Sequence, residues 1–250
     1  MCETGQLARE LVRLARARDL VLSVGFLERY RLLKALKELN LGKISYIEVS
    51  RFATSPSRER GMDVVMDLMI HDIDLVLWLL REHPAWISGV GLQVGLSEID
   101  LANARLEFPG GAVANLNVNW ASPERHRKIS LFAENGIVEF DLLTNSLEVF
   151  SREGAAGLMK REVALPAIDA LQEQCKSFIR AVQQNSQPLV TGEDGLRALE
   201  VALSIRERIR ERHRAQEFSR TKFTEPLSEE PTPKTRPRAK TTSSQPGASA

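Results

Sequence analysis

The sequence predicts an α/β (α+β) chain: a large, open, mostly antiparallel sheet with helices on one face, preceded by a helix and strand of the parallel α/β kind. Three observations carry this expectation. Leu7–Arg18 is apolar at helical spacing and runs into Leu20–Val24, a short apolar stretch ending at Gly25. Six short runs of period two fill the region from Trp86 to Ser151. Longer segments of helical period stand on either side of them.

In order, Leu7, Leu11, Leu14 and Ala15 mark one helix face, and Leu-Val-Leu-Ser-Val reads as a strand buried on both sides. Tyr30–Leu39 is amphipathic and closes at Asn40-Leu41-Gly42. Ile44–Phe52 alternates, with Ser45, Ile47, Val49 and Arg51 on one side of the strand. Ala53–Gly61 is a polar loop. Met62–Leu80 is a helix, ending before Pro84. Trp86–Val94, Leu101–Phe108, Ala112–Trp120, Arg127–Ala133, Gly136–Asp141 and Leu147–Ser151 are strands. The turn signals between them, such as Pro109-Gly110-Gly111 and Glu134-Asn135-Gly136, predict an antiparallel meander. Ile168–Gln184 is helical. Thr191-Gly-Glu-Asp194 has capping-box spacing and opens a helix over Asp194–Arg214. Beyond Glu217 the chain is rich in Pro, Ser, Thr, Lys and Glu, and residues 216–250 are expected to be a disordered tail.

Composition narrows the function classes. The chain has 250 residues, 43% hydrophobic and 27% charged, with net charge +1. That balance gives no electrostatic reason to expect nucleic acid or an anionic membrane as partner. Cys2 and Cys175 form no CxxC or Cys/His cluster, so neither a disulfide framework nor a structural zinc site is predicted. Arg9, Arg13, Arg16 and Arg18 interrupt any N-terminal apolar stretch, and the expected compartment is the cytoplasm. The most apolar window holds Asp67, His71, Asp72 and Asp74, which are too costly for a membrane span.

That window is the chemical signal. At about 100° per residue, Asp63, Asp67, His71 and Asp74 share one narrow sector of an otherwise apolar helix. Buried acids need partners or a wet cleft. Asp63 suits a first helical turn, and Asp72 and Asp74 suit arginine pairs or loop caps. Asp67 and His71, four residues apart, suit proton transfer: the acid orients the imidazole, which takes a proton from a hydroxyl. Asp67, His71 and Asp74 also permit a divalent ion, as in a metal-dependent hydrolase or isomerase. No second histidine or water-activating motif accompanies them, and no metal is expected.

Several stretches together resemble the Gfo/Idh/MocA family of NAD(P)-dependent oxidoreductases. They are Val24-Gly-Phe-Leu-Glu-Arg-Tyr30, Leu41-Gly-Lys-Ile44, and Asp67-Leu-Met-Ile-His71-Asp-Ile-Asp74 running on to Trp78. Phe108-Pro-Gly-Gly111 to Trp120, Glu134-Asn-Gly136, and Phe178 to Gly195 agree in order and spacing. The resemblance covers about residues 5–212 and implies hydride transfer between a sugar or nucleotide-sugar carbon and NAD or NADP. It implies His71 as general base and Asp67 as its partner and a substrate ligand, with Asp74 a further substrate contact. Arg29 and Tyr30 would line the nicotinamide end of the cleft. Glu28-Arg29-Tyr30 resembles members acting on UDP-N-acetylglucosamine. Residues 1–29 would be the last helix and strand of a dinucleotide-binding domain, and 30–215 a substrate domain that forms homo-oligomers through its open sheet.

The family's glycine-rich loop and Glu-Lys-Pro motif are not in this sequence, so the chain reads as a truncated member. Gly89-Val-Gly91-Leu-Gln-Val-Gly95 lies in an alternating run with no helix after it, and reads as strand and turn. The alternative is a non-catalytic oligomerisation or interaction module derived from such an enzyme.

Overall fold

A computed structural model describes residues 4–37, 39–54, 62–94, 98–152, 158–165 and 168–223. The described residues up to Arg214 form one compact unit. Most of the polar loop expected at Ala53–Gly61, and the tail from residue 224, lie outside the described residues.

The first helix, α1 (Gly5–Ala17), starts where Thr4 accepts a hydrogen bond from the Leu7 amide. The expected strand at Leu20–Val24 is instead an extended segment with a single bridge, Ser23 to Thr191. A parallel strand buried on both faces needs a neighbour on each side. Here one stretch answers it: Gly192 donates to Leu22 at 2.9 Å and Val24 to Val190 at 3.4 Å. Leu20, at the start of the segment, is 61% exposed.

Next come α2 (Glu28–Lys37) and β1 (Ile44–Thr54). The striped helix follows, and it is not α-helical throughout. A π-helical turn, Val65–Met69, leads into α3 (Ile70–Leu80). Arg81 ends it in the left-handed region, with its amide bonded to Leu77 at 2.9 Å.

The sheet strands are β2 (Trp86–Leu92), β3 (Leu101–Glu107), β4 (Val113–Asn119), β5 (Ala121–Ala133), β6 (Gly136–Asp141), β7 (Ser146–Arg152) and β8 (Leu158–Ala164). Their order is β2-β3-β4-β1-β5-β6-β7-β8. All neighbours are antiparallel except β1 and β4. The meander expectation is therefore corrected at one place: β4 and β5 follow each other in sequence but flank β1.

One face of the sheet is apolar. Ile47, Val49, Ala104, Leu106, Leu116, Val118, Ile129, Leu131, Val138 and Phe140 are buried there, in one core with Ile70, Ile73 and Val76 of α3. Ala198, Leu199, Ala202, Ile205 and Ile209 of the last helix, α5 (Gly192–Phe223), join the same core. α5 opens on a reciprocal capping box: Thr191 Oγ1 accepts from the Asp194 amide at 3.1 Å, and Asp194 Oδ2 accepts from the Thr191 amide at 2.9 Å. Before it, α4 (Ala170–Gln184) is capped by Asp169, which accepts from the Gln172 amide at 3.0 Å. Among the described residues no helix is long and apolar enough to cross a membrane.

Candidate active site

A cavity of about 500 Å³ lies where four elements meet. Leu11 of α1, Val24 and Phe26 of the extended segment, Met66, Asp67 and His71 of the striped helix, and Leu196 of α5 line it. Its walls are mainly apolar, with Asp67 and His71 as the titratable groups among the lining residues. This is the usual composition of a small-molecule site.

The structure divides the predicted stripe into three. Asp63 turns back on its own helix start: Oδ1 accepts from the amides of Val65 and Met66, each at 3.1 Å, and Oδ2 pairs with Arg206 Nε at 2.6 Å. Asp74 is buried against Arg29, which reaches its two oxygens through Nε (2.8 Å) and Nη2. Only Asp67 and His71 of the four face the cavity. The π turn accounts for part of the division. Its i→i+5 bonding gives a wider turn than the 3.6-residue period assumes, and Asp67 sits in the middle of it. Among the described residues, no side chain hydrogen-bonds or ion-pairs with the Asp67 carboxylate.

Arg29 and Tyr30 do not line the cavity. Arg29 is buried, with Asp74 on one side, Asp194 at 3.2 Å on the other and Trp78 under its guanidinium at 5.8 Å. Tyr30 is buried beside it. Burial pushes the Asp74 carboxyl up to about 7 against the pull of Arg29, and the Asp194 carboxylate adds to the rise.

Beneath His71 lies a charge cluster of which the sequence reading anticipated only that Asp72 would pair with an arginine; Glu28, Arg51 and Arg127 were not foreseen as its members. Arg51 Nε donates to Asp72 Oδ1 and Oδ2 at 2.9 and 3.0 Å, and its Nη1 donates to Glu28 Oε1 at 3.0 Å. Arg127 Nη1 stands 3.5 Å from the same Glu28 oxygen. Glu28 Oε2 faces His71 Nδ1 at 3.8 Å. The signal was present: Arg51 shares the inward face of β1 with Ile47 and Val49, and a charge there must have partners.

These neighbours set the protonation states. Burial would raise the Glu28 carboxyl, but Arg51, His71 and Arg127 outweigh it and hold the group at about 2. Burial lowers His71 below the ordinary imidazole range; Glu28 opposes this, Arg51 adds to it, and Asp72 and Asp67 oppose it. A lowered imidazole is neutral at neutral pH and free to accept a proton. The ring is held edge-on to Phe26, with centroids 5.4 Å apart.

The glycine run is a packing device. A Cβ on Gly89 would meet Ile205 and Ile209 at 3.1–3.2 Å, and one on Gly91 would stand 2.9 Å from Ile209 and Ile99. These glycines let α5 lie close on β2; Gly95 is outside the described residues. They form no turn for a pyrophosphate.

Known proteins agree with this architecture. A model of the GFO/IDH/MocA C-terminal domain matches residues 31–139. UDP-N-acetylglucosamine 3-dehydrogenase of Acidithiobacillus ferrooxidans is 31% identical over 205 residues, covering 80% of this chain and 66% of the relative. The solved structure of that enzyme superposes with a TM-score of 0.77 at 30% identity, covering 82% of this chain and 67% of the other. Myo-inositol 2-dehydrogenase of Thermotoga maritima is 26% identical, covering 78% of this chain and 64% of the relative. A levoglucosan dehydrogenase solved with NADH and L-sorbose shares the fold, with a TM-score of 0.73 at 16% identity over 83% of this chain and 69% of that one. The chain thus spans about two thirds of the length of the curated relatives it matches.

Proposed function

The chain belongs to the Gfo/Idh/MocA family of oxidoreductases, and from that premise we propose that its Asp67/His71 cleft binds and activates a hydroxyl of a sugar or nucleotide sugar in a cytoplasmic oxidoreductase. One observation carries the reading: of the four residues in the polar stripe, Asp63 and Asp74 are each taken by an arginine, and the other two, Asp67 and His71, are the ones that line the cavity. Neutral His71 takes the hydroxyl proton onto its ring nitrogen, and the developing imidazolium is stabilised by nearby carboxylates. Asp67 accepts a hydrogen bond from a neighbouring hydroxyl. The relatives named as acting on UDP-N-acetylglucosamine and myo-inositol support a polyhydroxylated ligand. The described residues contain no glycine-rich strand–turn–helix, and Gly89 and Gly91 are committed to packing. NAD or NADP, the hydride acceptor the family implies, is not held by that run.

Isothermal titration of the chain with UDP-N-acetylglucosamine, myo-inositol and simple aldoses tests this. Saturable binding of at least one, lost in Asp67→Asn and His71→Ala variants that still fold, is the expected result. Binding that survives both substitutions, or none across the panel, overturns it.

The commitment of Gly89 and Gly91 to packing leaves a second reading, a non-catalytic module that self-associates through its open sheet. NADH titration discriminates: micromolar binding by this chain sinks the module reading.

A further inference from the structure

Spacing along the helix makes Asp67 the natural partner of His71. The geometry points elsewhere. We propose that Glu28 is the positioning residue of His71: its carboxylate keeps the imidazole proton on Nδ1, so that the lone pair sits on Nε2.

Three observations support this assignment. First, His71 Nδ1 is a buried polar atom with no hydrogen-bond partner among the described residues, and Glu28 Oε2 is 3.8 Å from it. At 3.8 Å the carboxylate oxygen is the acceptor facing Nδ1, about 1 Å beyond the ordinary hydrogen-bond length. Second, Glu28 is fixed from the other side. Its Oε1 is taken by Arg51 at 3.0 Å and approached by Arg127 at 3.5 Å, which leaves Oε2 for His71. Third, the ring side chain is 32% exposed although Nδ1 is buried, so its open part lies away from Glu28.

The charged groups around His71 exclude the other candidates. Asp72, on the same helix, has both oxygens on Arg51. Arg51, from β1, can only donate. Asp67 lines the cavity and carries no described ion pair. Arg127, from β5, acts on His71 through Glu28. Glu28 is ionised down to about pH 2, because Arg51, His71 and Arg127 together outweigh the effect of its burial. An ionised carboxylate only accepts hydrogen bonds. A neutral ring with its proton on Nε2 would point a lone pair at that carboxylate inside the protein, so the Nδ1–H form is preferred.

The role of Nε2 as proton acceptor rests on the dehydrogenase reading; the tautomer does not. Glu28 thus frees Asp67 for the ligand. The division of labour is two carboxylates for one histidine, one below the ring and one in the cleft.

Two-bond 15N–1H correlation spectra of the histidine rings read the tautomer directly. His71 is one of four histidines, assigned by the signal missing in His71→Gln. Above its titration midpoint, wild-type His71 is expected as Nδ1–H. Glu28→Gln shifts the midpoint to lower pH and erodes that preference, while Asp67→Asn leaves the tautomer unchanged. Wild-type His71 found as Nε2–H overturns the proposal, and so does a tautomer that Asp67→Asn switches. If Glu28→Gln does not fold, the wild-type and Asp67→Asn spectra still decide. No turnover or ligand enters the measurement, so its failure leaves the dehydrogenase reading to stand or fall on the binding titrations.

Discussion

Replacing Arg51 with methionine removes the cation that holds the charge cluster together. Arg51 is 3% exposed, Asp72 1% and Glu28 7%. Methionine fills much of the same volume, so the packing loss is small. The charge loss is not. Asp72 loses both Nε contacts, at 2.9 and 3.0 Å, with no other described partner for its carboxylate, whereas Glu28 retains Arg127 at 3.5 Å. Breaking a buried pair from one side costs about 3–5 kcal/mol, and most of that falls on Asp72. Urea denaturation at pH 7 should show this loss against wild type. The loss should shrink at acid pH. Burial already raises the Asp72 carboxyl despite Arg51, and without Arg51 it rises further. The folded state then holds a proton that the unfolded chain releases, so stability falls as pH rises through that window. A cost under about 1 kcal/mol at pH 7, or one independent of pH, would refute the reasoning.

Glu28 makes its own pH signature: its folded value of about 2 lies below the ordinary 4.5, so its contribution of roughly 3 kcal/mol is complete above that ordinary value and lost as pH falls toward the folded one. Acid titration of unfolding should show a shallower limb in Glu28→Gln than in wild type over that window. Asp63→Ala removes two amide caps and the Arg206 pair, and should cost about 1–3 kcal/mol by thermal melting. Gly91→Ala pushes a methyl group to 2.9 Å from two isoleucines. It should cost about 1–3 kcal/mol by urea denaturation while leaving ligand titrations unchanged.

The helices and most strands were legible because period and punctuation coincide. Thr191 and Asp194 formed the box their spacing announced, and Gly136–Asp141 formed a strand with those same ends. The place of β1 was not legible. Alternation shows which residues of Ile44–Phe52 face the core but not which strands lie beside them, and β4 and β5 are separated by Trp120 alone. The strand Leu158–Ala164 was missed because Lys160, Arg161 and Glu162 stand in succession at a sheet edge and hide the alternation. At the site, the helical period put Asp63, Asp67, His71 and Asp74 together, but their partners come from elsewhere: Arg206 from α5 and Arg29 from α2. Long-range pairing of this kind leaves no local pattern. Glu28 was read only as part of a family stretch, and its approach to His71, 43 positions along the chain, needed the fold.

The central claim is that the Asp67/His71 cleft receives a sugar hydroxyl, and titrating UDP-N-acetylglucosamine while following the histidine ring resonances tests it most directly. His71 signals should shift saturably while those of His83, His126 and His213, none of which lines the cavity, stay in place. Saturation that leaves His71 unmoved, or that moves the other three instead, would contradict the account.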